Sequence, residues 1–189
     1  MNLALKLTVL RILLGPVFVL FFIQTQQRPE LLWVTLFLAF ISELSDLLDG
    51  IIARRFNMVS DLGKVLDPLA DSISRLSMFL AFFQLGYASI WMILIFFYRD
   101  SLVSTLRIVA ASKSLILSAR KSGKIKAVVQ AISIVGVILT LLAQHYNFSL
   151  IVDPNLIIHG FMWLAVLATL YSLWDYIYSN RPILSELVT

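Results

Sequence analysis

Six apolar stretches, at about residues 7–24, 31–53, 64–84, 88–110, 127–144 and 156–178, dominate the sequence. Each is close to the ~20 residues that an α-helix needs to cross a bilayer. Inside lipid the backbone must satisfy its own N–H and C=O groups, so spanning segments of this length are helices. The connections between them are too short to hold a soluble domain. Residues 1–189 are therefore expected to form one all-α integral membrane domain of about six transmembrane helices. Composition agrees, since 60% of the residues are hydrophobic and 14% charged, against roughly 45–50% and 25% in soluble domains. The first stretch lacks the short apolar region and small-residue cleavage site of a secretory signal. Gly15 and Pro16 within it predict a kink rather than an end. The last dozen residues, with Pro182 and mixed polarity, read as a short tail on the cytosolic side.

Orientation follows from the basic residues. Of the 15 Lys and Arg, only Arg28 falls in a connection on one side. Lys6, Arg54, Arg55, Lys64, Lys113, Arg120, Lys121, Lys124, Lys126 and Arg181 fall on the other side. Cytosolic loops carry the positive excess, so both termini and the loop joining the second and third helices are expected in the cytosol. The net charge of +4 is thus topological, with some attraction for anionic membrane lipids and no nucleic-acid partner implied. The chain has no cysteine and two histidines, which excludes disulfides, thiolate metal sites and His-rich sites.

Against this apolar background stands "DLLDGIIARRFNMVSDLGKVLDPLAD", residues 46–71. Asp46 and Asp49 are three apart near the cytosolic end of the second helix, and Asp67 and Asp71 are four apart at the start of the third. Both spacings put the pair on one helical face. Arg55 to Leu62, followed by Gly63, let the chain turn back, so the four carboxylates are expected to face one another at similar depth. One such pair is commonly a solvated cap, and Asp61, out of phase in the loop, is read that way. Two facing pairs would repel strongly without cations between them. All-oxygen ligands point to hard divalent ions, Mg²⁺ or Mn²⁺, and two such ions suit phosphoryl transfer. Small residues beside the ligands, Gly50, Ala53 and Gly63, leave room for a bulky ligand against the backbone.

Read as a pattern, Asp46-x2-Asp49-Gly50-x2-Ala53-Arg54-x8-Gly63-x3-Asp67-x3-Asp71 resembles the signature of the CDP-alcohol phosphotransferases, with every fixed position present. The resemblance implies six membrane helices around a site open to the cytosol. It implies that Asp46, Asp49, Asp67 and Asp71 hold two metal ions on the diphosphate of a CDP-linked lipid. Asp71 would also be the base that takes a proton from the acceptor hydroxyl. Gly50 and Ala53 would give the cytidine room, with Thr8, Asp49 and Arg54 as polar contacts. Members of that family often form homodimers, although no helix here carries a GxxxG face.

The signature leaves the acceptor open, and the basic residues further along address it. Arg99 and Arg107, eight apart, share a face of the fourth helix, and Arg120, Lys124 and Lys126 follow at the start of the fifth. Guanidinium and ammonium groups gathered beside an anionic site suggest an acceptor carrying its own phosphate. Adjacent Arg99 and Asp100 also read as a structural pair that orients helices. The segments around Thr8–Arg11, Tyr98–Arg107 and Ser118–Gln130 resemble those of bacterial phosphatidylglycerophosphate synthases. That resemblance implies CDP-diacylglycerol as donor, glycerol 3-phosphate as acceptor and a place in the bacterial cytoplasmic membrane. Inositol phosphate is the nearest alternative acceptor. A lysine common after the fourth aspartate is replaced by Ser72, and Arg75, one turn on, is expected to supply that cation. Two readings of other classes compete: a cation transporter using intramembrane aspartates, and a scaffold. A transporter would place its charges near the midplane of two pseudo-symmetric halves, whereas six of the eleven acidic residues here lie between Glu43 and Asp71.

Overall fold

The apolar runs become helices because their backbones have no other hydrogen-bond partners. The structure, a computed structural model, describes residues 3–55, 61–113, 115, 117 and 120–188. They form α1 (Leu3–Gln24), α2 (Leu31–Arg55), α3 (Asp61–Gln84), α4 (Ile90–Ser112), α5 (Lys121–His145) and α6 (Pro154–Val188). Among the described residues there is no strand. The helices outrun the apolar stretches at several ends. α3 begins at Asp61, inside the Arg55–Leu62 stretch expected to turn, of which residues 56–60 lie outside the described residues. α1 runs through Pro16 and α3 through Pro68. The expected C-terminal tail is instead the end of α6, which continues past Pro182 to Val188.

α1 packs against α2 and α3, α5 pairs with α6 and touches α2, and α4 bridges α3 and α6. The core is aromatic on one flank. Phe22 meets Phe82 edge-on at 5.0 Å, and Phe79 lies 4.4 Å from Phe96, joining α1, α3 and α4. Val137, Ile138, Met162 and Val166 fill the α5–α6 flank and are wholly buried. Small residues set the closest approaches, as is usual where helices pack in lipid. A Cβ on Gly15 would stand 3.0 Å from Ser77 Oγ on α3, and one on Gly136 would stand 2.5 Å from the Phe161 ring on α6.

The two ends of the bundle differ. At one end, α3 and α5 stop in the same way. Gly86 (φ 82°) and Asn147 (φ 54°) adopt left-handed backbone. The N–H groups of Tyr87 and Phe148 then reach back to the carbonyls of Phe82 and Ala143, at 2.9 Å each, satisfying orphan acceptors at the helix ends. Trp33 donates to the Tyr146 hydroxyl at this end, 3.1 Å away. The other end carries the charge. Among the described residues, three helices are long and apolar enough to cross a membrane: Lys6–Gln24, Lys121–His145 and Pro154–Ser185. α4 falls outside that set because Arg99, Asp100 and Arg107 lie along it.

Filling the α5–α6 contact should be costly. Gly136→Val must displace the Phe161 ring and is expected to destabilise the protein by ~1–3 kcal/mol. Gly160→Ala, whose Cβ meets nothing within 4 Å, should be neutral. Thermal unfolding of the detergent-solubilised chain distinguishes the two.

Candidate functional site

Charges on helices of an apolar bundle must find partners on neighbouring helices. At the polar end, Arg11 of α1 is buried and donates to Asp46 Oδ1 of α2 at 2.6 Å. Arg75 of α3, 6% exposed, is engaged on three sides. Its Nε and Nη2 grip both oxygens of Glu43 on α2 at 3.2 and 3.1 Å, and its Nη1 donates to Asp71 at 2.6 Å. Asp46 Oδ2 lies 3.8 Å from its Nη2. Ser42 and Ser74 share a hydrogen bond of 2.8 Å alongside. Asp46 and Asp71 therefore share Arg75 as a counter-ion. Thr8 is buried on α1, one turn before Arg11. The side chains of Asp49, Gly50, Ala53, Arg54, Gly63 and Asp67 lie outside the described residues.

Beside this cluster a cavity of about 500 Å³ opens between α3, α4 and α5. Asp71, Arg75, Arg99, Arg107, Arg120, Lys124 and Lys126 all line it, so the residues expected to face the acceptor share one space with the expected base. The cations are not equivalent. Asp100 Oδ1 accepts from Lys126 Nζ at 2.6 Å and Arg99 Nη1 at 2.8 Å, and Asp100 Oδ2 accepts from Ser72 at 3.3 Å. Arg99 Nη2 continues to Ser172 Oγ of α6 at 2.7 Å. Arg120 makes a two-pronged pair with Asp175 of α6 at 3.1 and 3.2 Å, and Ser122 donates to the same carboxylate. Those hydrogen bonds raise the pKa of Arg120, just outside α5, above arginine's ordinary value. Arg107 and Lys124 differ. Both are exposed on the cavity wall, and neither has a described carboxylate within ion-pair distance. Arg107 lies over the Tyr176 ring, 5.6 Å from its centroid.

The sequence reading did not single out three of these parts. Glu43 lies three residues before Asp46, so the face it shares with Asp46 and Asp49 was open to inspection. Asp175 and Ser172 carried no readable signal, because their partners are more than fifty residues away. Arg75, expected to serve the acceptor, lines the cavity with its guanidinium already turned to Glu43 and Asp71. The donor set suits a hard divalent ion: Asp46 and Asp71 offer oxygens only, from two helices, to one shared cation. Among the described residues no group of three or more Asp, Glu or His gathers as a metal site, the side chains of Asp49 and Asp67 lying outside that set.

Comparison with known proteins bears on this arrangement. Residues 1–171 match the family model described as CDP-alcohol phosphatidyltransferase. The CDP-diacylglycerol–glycerol-3-phosphate 3-phosphatidyltransferase of Bacillus subtilis is 30% identical over 189 positions, covering 95% of each chain. The protein of the same name from Blochmanniella floridana is 27% identical over 98% of this chain and 94% of its own. That of Mycoplasma genitalium is 31% identical over 80% of this chain, which spans 64% of that longer protein.

Asp100 ties α4 to the buried Lys126 of α5 and holds its neighbour Arg99, so its loss should be felt throughout this wall. Asp100→Asn strands the Lys126 ammonium and is expected to cost ~3 kcal/mol. Asp100→Asn with Lys126→Met should recover part of that loss, read as unfolding midpoints in detergent.

Proposed function

The chain belongs to the CDP-alcohol phosphatidyltransferase family, and from that premise we propose that it moves the phosphatidyl group of CDP-diacylglycerol onto glycerol 3-phosphate, giving phosphatidylglycerophosphate and CMP. One observation supports this choice of acceptor above the others. Asp71 lines the same cavity as Arg107 and Lys124, the two lining cations with no carboxylate partner among the described residues. A phosphorylated alcohol would lay its phosphate on that pair and present its hydroxyl to Asp71. A neutral alcohol would leave both cations uncompensated.

Asp71 accepts the proton of the primary hydroxyl as that oxygen bonds to the phosphorus bearing the diacylglycerol. The bond from this phosphorus to the CMP oxygen breaks, and CMP departs. Arg107 binds the acceptor phosphate with Lys124 adding charge, while Lys126 and Arg99, held by Asp100, keep the wall positive without moving. Fixing both substrates in one cavity supplies the orientation that makes the transfer effectively unimolecular. Thr8, Asp49, Gly50, Ala53, Arg54 and Gly63 would receive the cytidine diphosphate. Asp46, Asp49, Asp67 and Asp71 would hold two ions, Mg²⁺ or Mn²⁺, whose chemistry when bound is to neutralise the diphosphate charge.

The membrane helices set the surroundings. We read all six as crossing the bacterial cytoplasmic membrane, with the charged end and both termini on the cytosolic side, where the water-soluble acceptor and CMP exchange.

Three outcomes follow from this reading. With detergent-solubilised chain, Mg²⁺ or Mn²⁺ and CDP-diacylglycerol, CMP release should depend on glycerol 3-phosphate and not on inositol phosphate, and should cease on chelation. Asp71→Asn should lower kcat by about 10²–10⁴-fold while CDP-lipid binding persists. Arg107→Ala should raise KM for glycerol 3-phosphate about tenfold or more, the worth of a charge-assisted hydrogen bond, with kcat little changed. An unchanged KM would remove Arg107 from the phosphate site.

A further inference from the structure

Glu43 and Arg75 stand outside the 46–71 signature, yet they form the floor beneath it. Glu43 precedes Asp46 by three residues on α2, and Arg75 follows Asp71 by four on α3. Since the two helices run in opposite directions, both lie about one turn, ~5 Å, further from the charged end than the aspartates. Arg75 joins the layers. Two of its nitrogens hold Glu43, the third reaches Asp71 at 2.6 Å, and Asp46 stands 3.8 Å away.

Resting on the two-ion reading above, we propose that Arg75 is a built-in counter-ion competing with a divalent cation for Asp71 and Asp46, and that Glu43 is a positioning residue acting through it. Glu43 occupies two of the guanidinium nitrogens and offsets its charge, which weakens its competition with a metal ion for the aspartates. The charges in the described cluster show why. Glu43, Asp46 and Asp71 carry three negative charges, and Arg11 and Arg75 carry two positive ones, so the net is −1. Neutralising Glu43 brings the net to zero and releases Arg75 towards the aspartates, so a dication should bind less well. Neutralising Arg75 brings it to −2, so a dication should bind better. Neutralising both restores −1.

A pair that merely ties α2 to α3 makes a different forecast, since either loss would then loosen the bundle and weaken metal binding alike. Mn²⁺ titration of the solubilised full chain without lipid substrate, read from the electron-spin resonance of free Mn²⁺, separates the two. Glu43→Gln should raise the Mn²⁺ Kd about tenfold or more, Arg75→Gln should lower it by a comparable factor, and the double variant should fall within roughly threefold of the unmodified chain, tenfold being what a unit charge about 5 Å from a dication gives even at the dielectric of water. Should Arg75→Gln fail to fold, Glu43→Gln and the double variant decide the matter: weakening followed by recovery supports the proposal. Shifts of both single variants in the same direction, or no shift with Glu43→Gln, overturn it. If the unmodified chain bound no Mn²⁺, the two-ion reading would fall and take this proposal with it. If it bound Mn²⁺ while the variants stayed level, only the roles of Glu43 and Arg75 would fall.

Discussion

A guanidinium at 6% exposure inside a helical bundle has to be surrounded by anions, and Arg75 is surrounded by carboxylates from α2 and α3. Taking charge out of water costs several kcal/mol per ion unless partners replace the lost hydration. The other buried charges obey the same requirement. Arg11 ties α1 to α2 through Asp46, Lys126 ties α5 to α4 through Asp100, and Arg99 extends that tie to α6 through Ser172. Every helix is thereby connected to another by a polar contact at one end of the bundle. The opposite end has Schellman-type helix stops and a Trp33–Tyr146 hydrogen bond instead. Polar ties at one end and aromatic packing below them leave the cavity between α3, α4 and α5 as the place where the charged surface opens inward.

The same requirement sorts the cations of that cavity by task. Those with carboxylates, Arg75, Arg99, Lys126 and Arg120, are held in place before any substrate arrives. Arg107 and Lys124 have their charge left to offer. A fixed positive wall beside two cations with no carboxylate partner among the described residues would need little reorganisation to receive an anion. The tyrosine ring beneath Arg107 gives its guanidinium an apolar support without consuming its hydrogen-bond donors.

Much of this was legible in the sequence because it depended on distances along one chain segment. Apolar length specified six helices, while the expected pairing of Asp46 with Asp49 and of Asp67 with Asp71 involves side chains outside the described residues. α1 packs against both α2 and α3, and the polar contacts of Arg75 with Glu43, Asp46 and Asp71 link those two helices at the charged end. Arg107, Lys124 and Lys126 read as acceptor-phosphate cations from the fourth-helix face and the basic start of the fifth, and all three line one cavity. The continuation of α6 past Pro182 was not legible, since proline is a weak stop when the helix before it is already built and packed.

What the sequence by itself determined is therefore local: helix number, the faces on which the acids lie, and the end at which charge collects. These follow from the bilayer's thickness and from 3.6 residues per turn. Only the tertiary structure decided the pairing of the charges. Glu43 meets Arg75 across 32 residues of chain and Arg120 meets Asp175 across 55, and no periodicity along one helix encodes which of several possible partners on another comes within reach. That choice is made only when the helices are packed, a property of the assembled bundle in which Gly15 lets α1 approach α3 and Gly136 lets α5 approach α6.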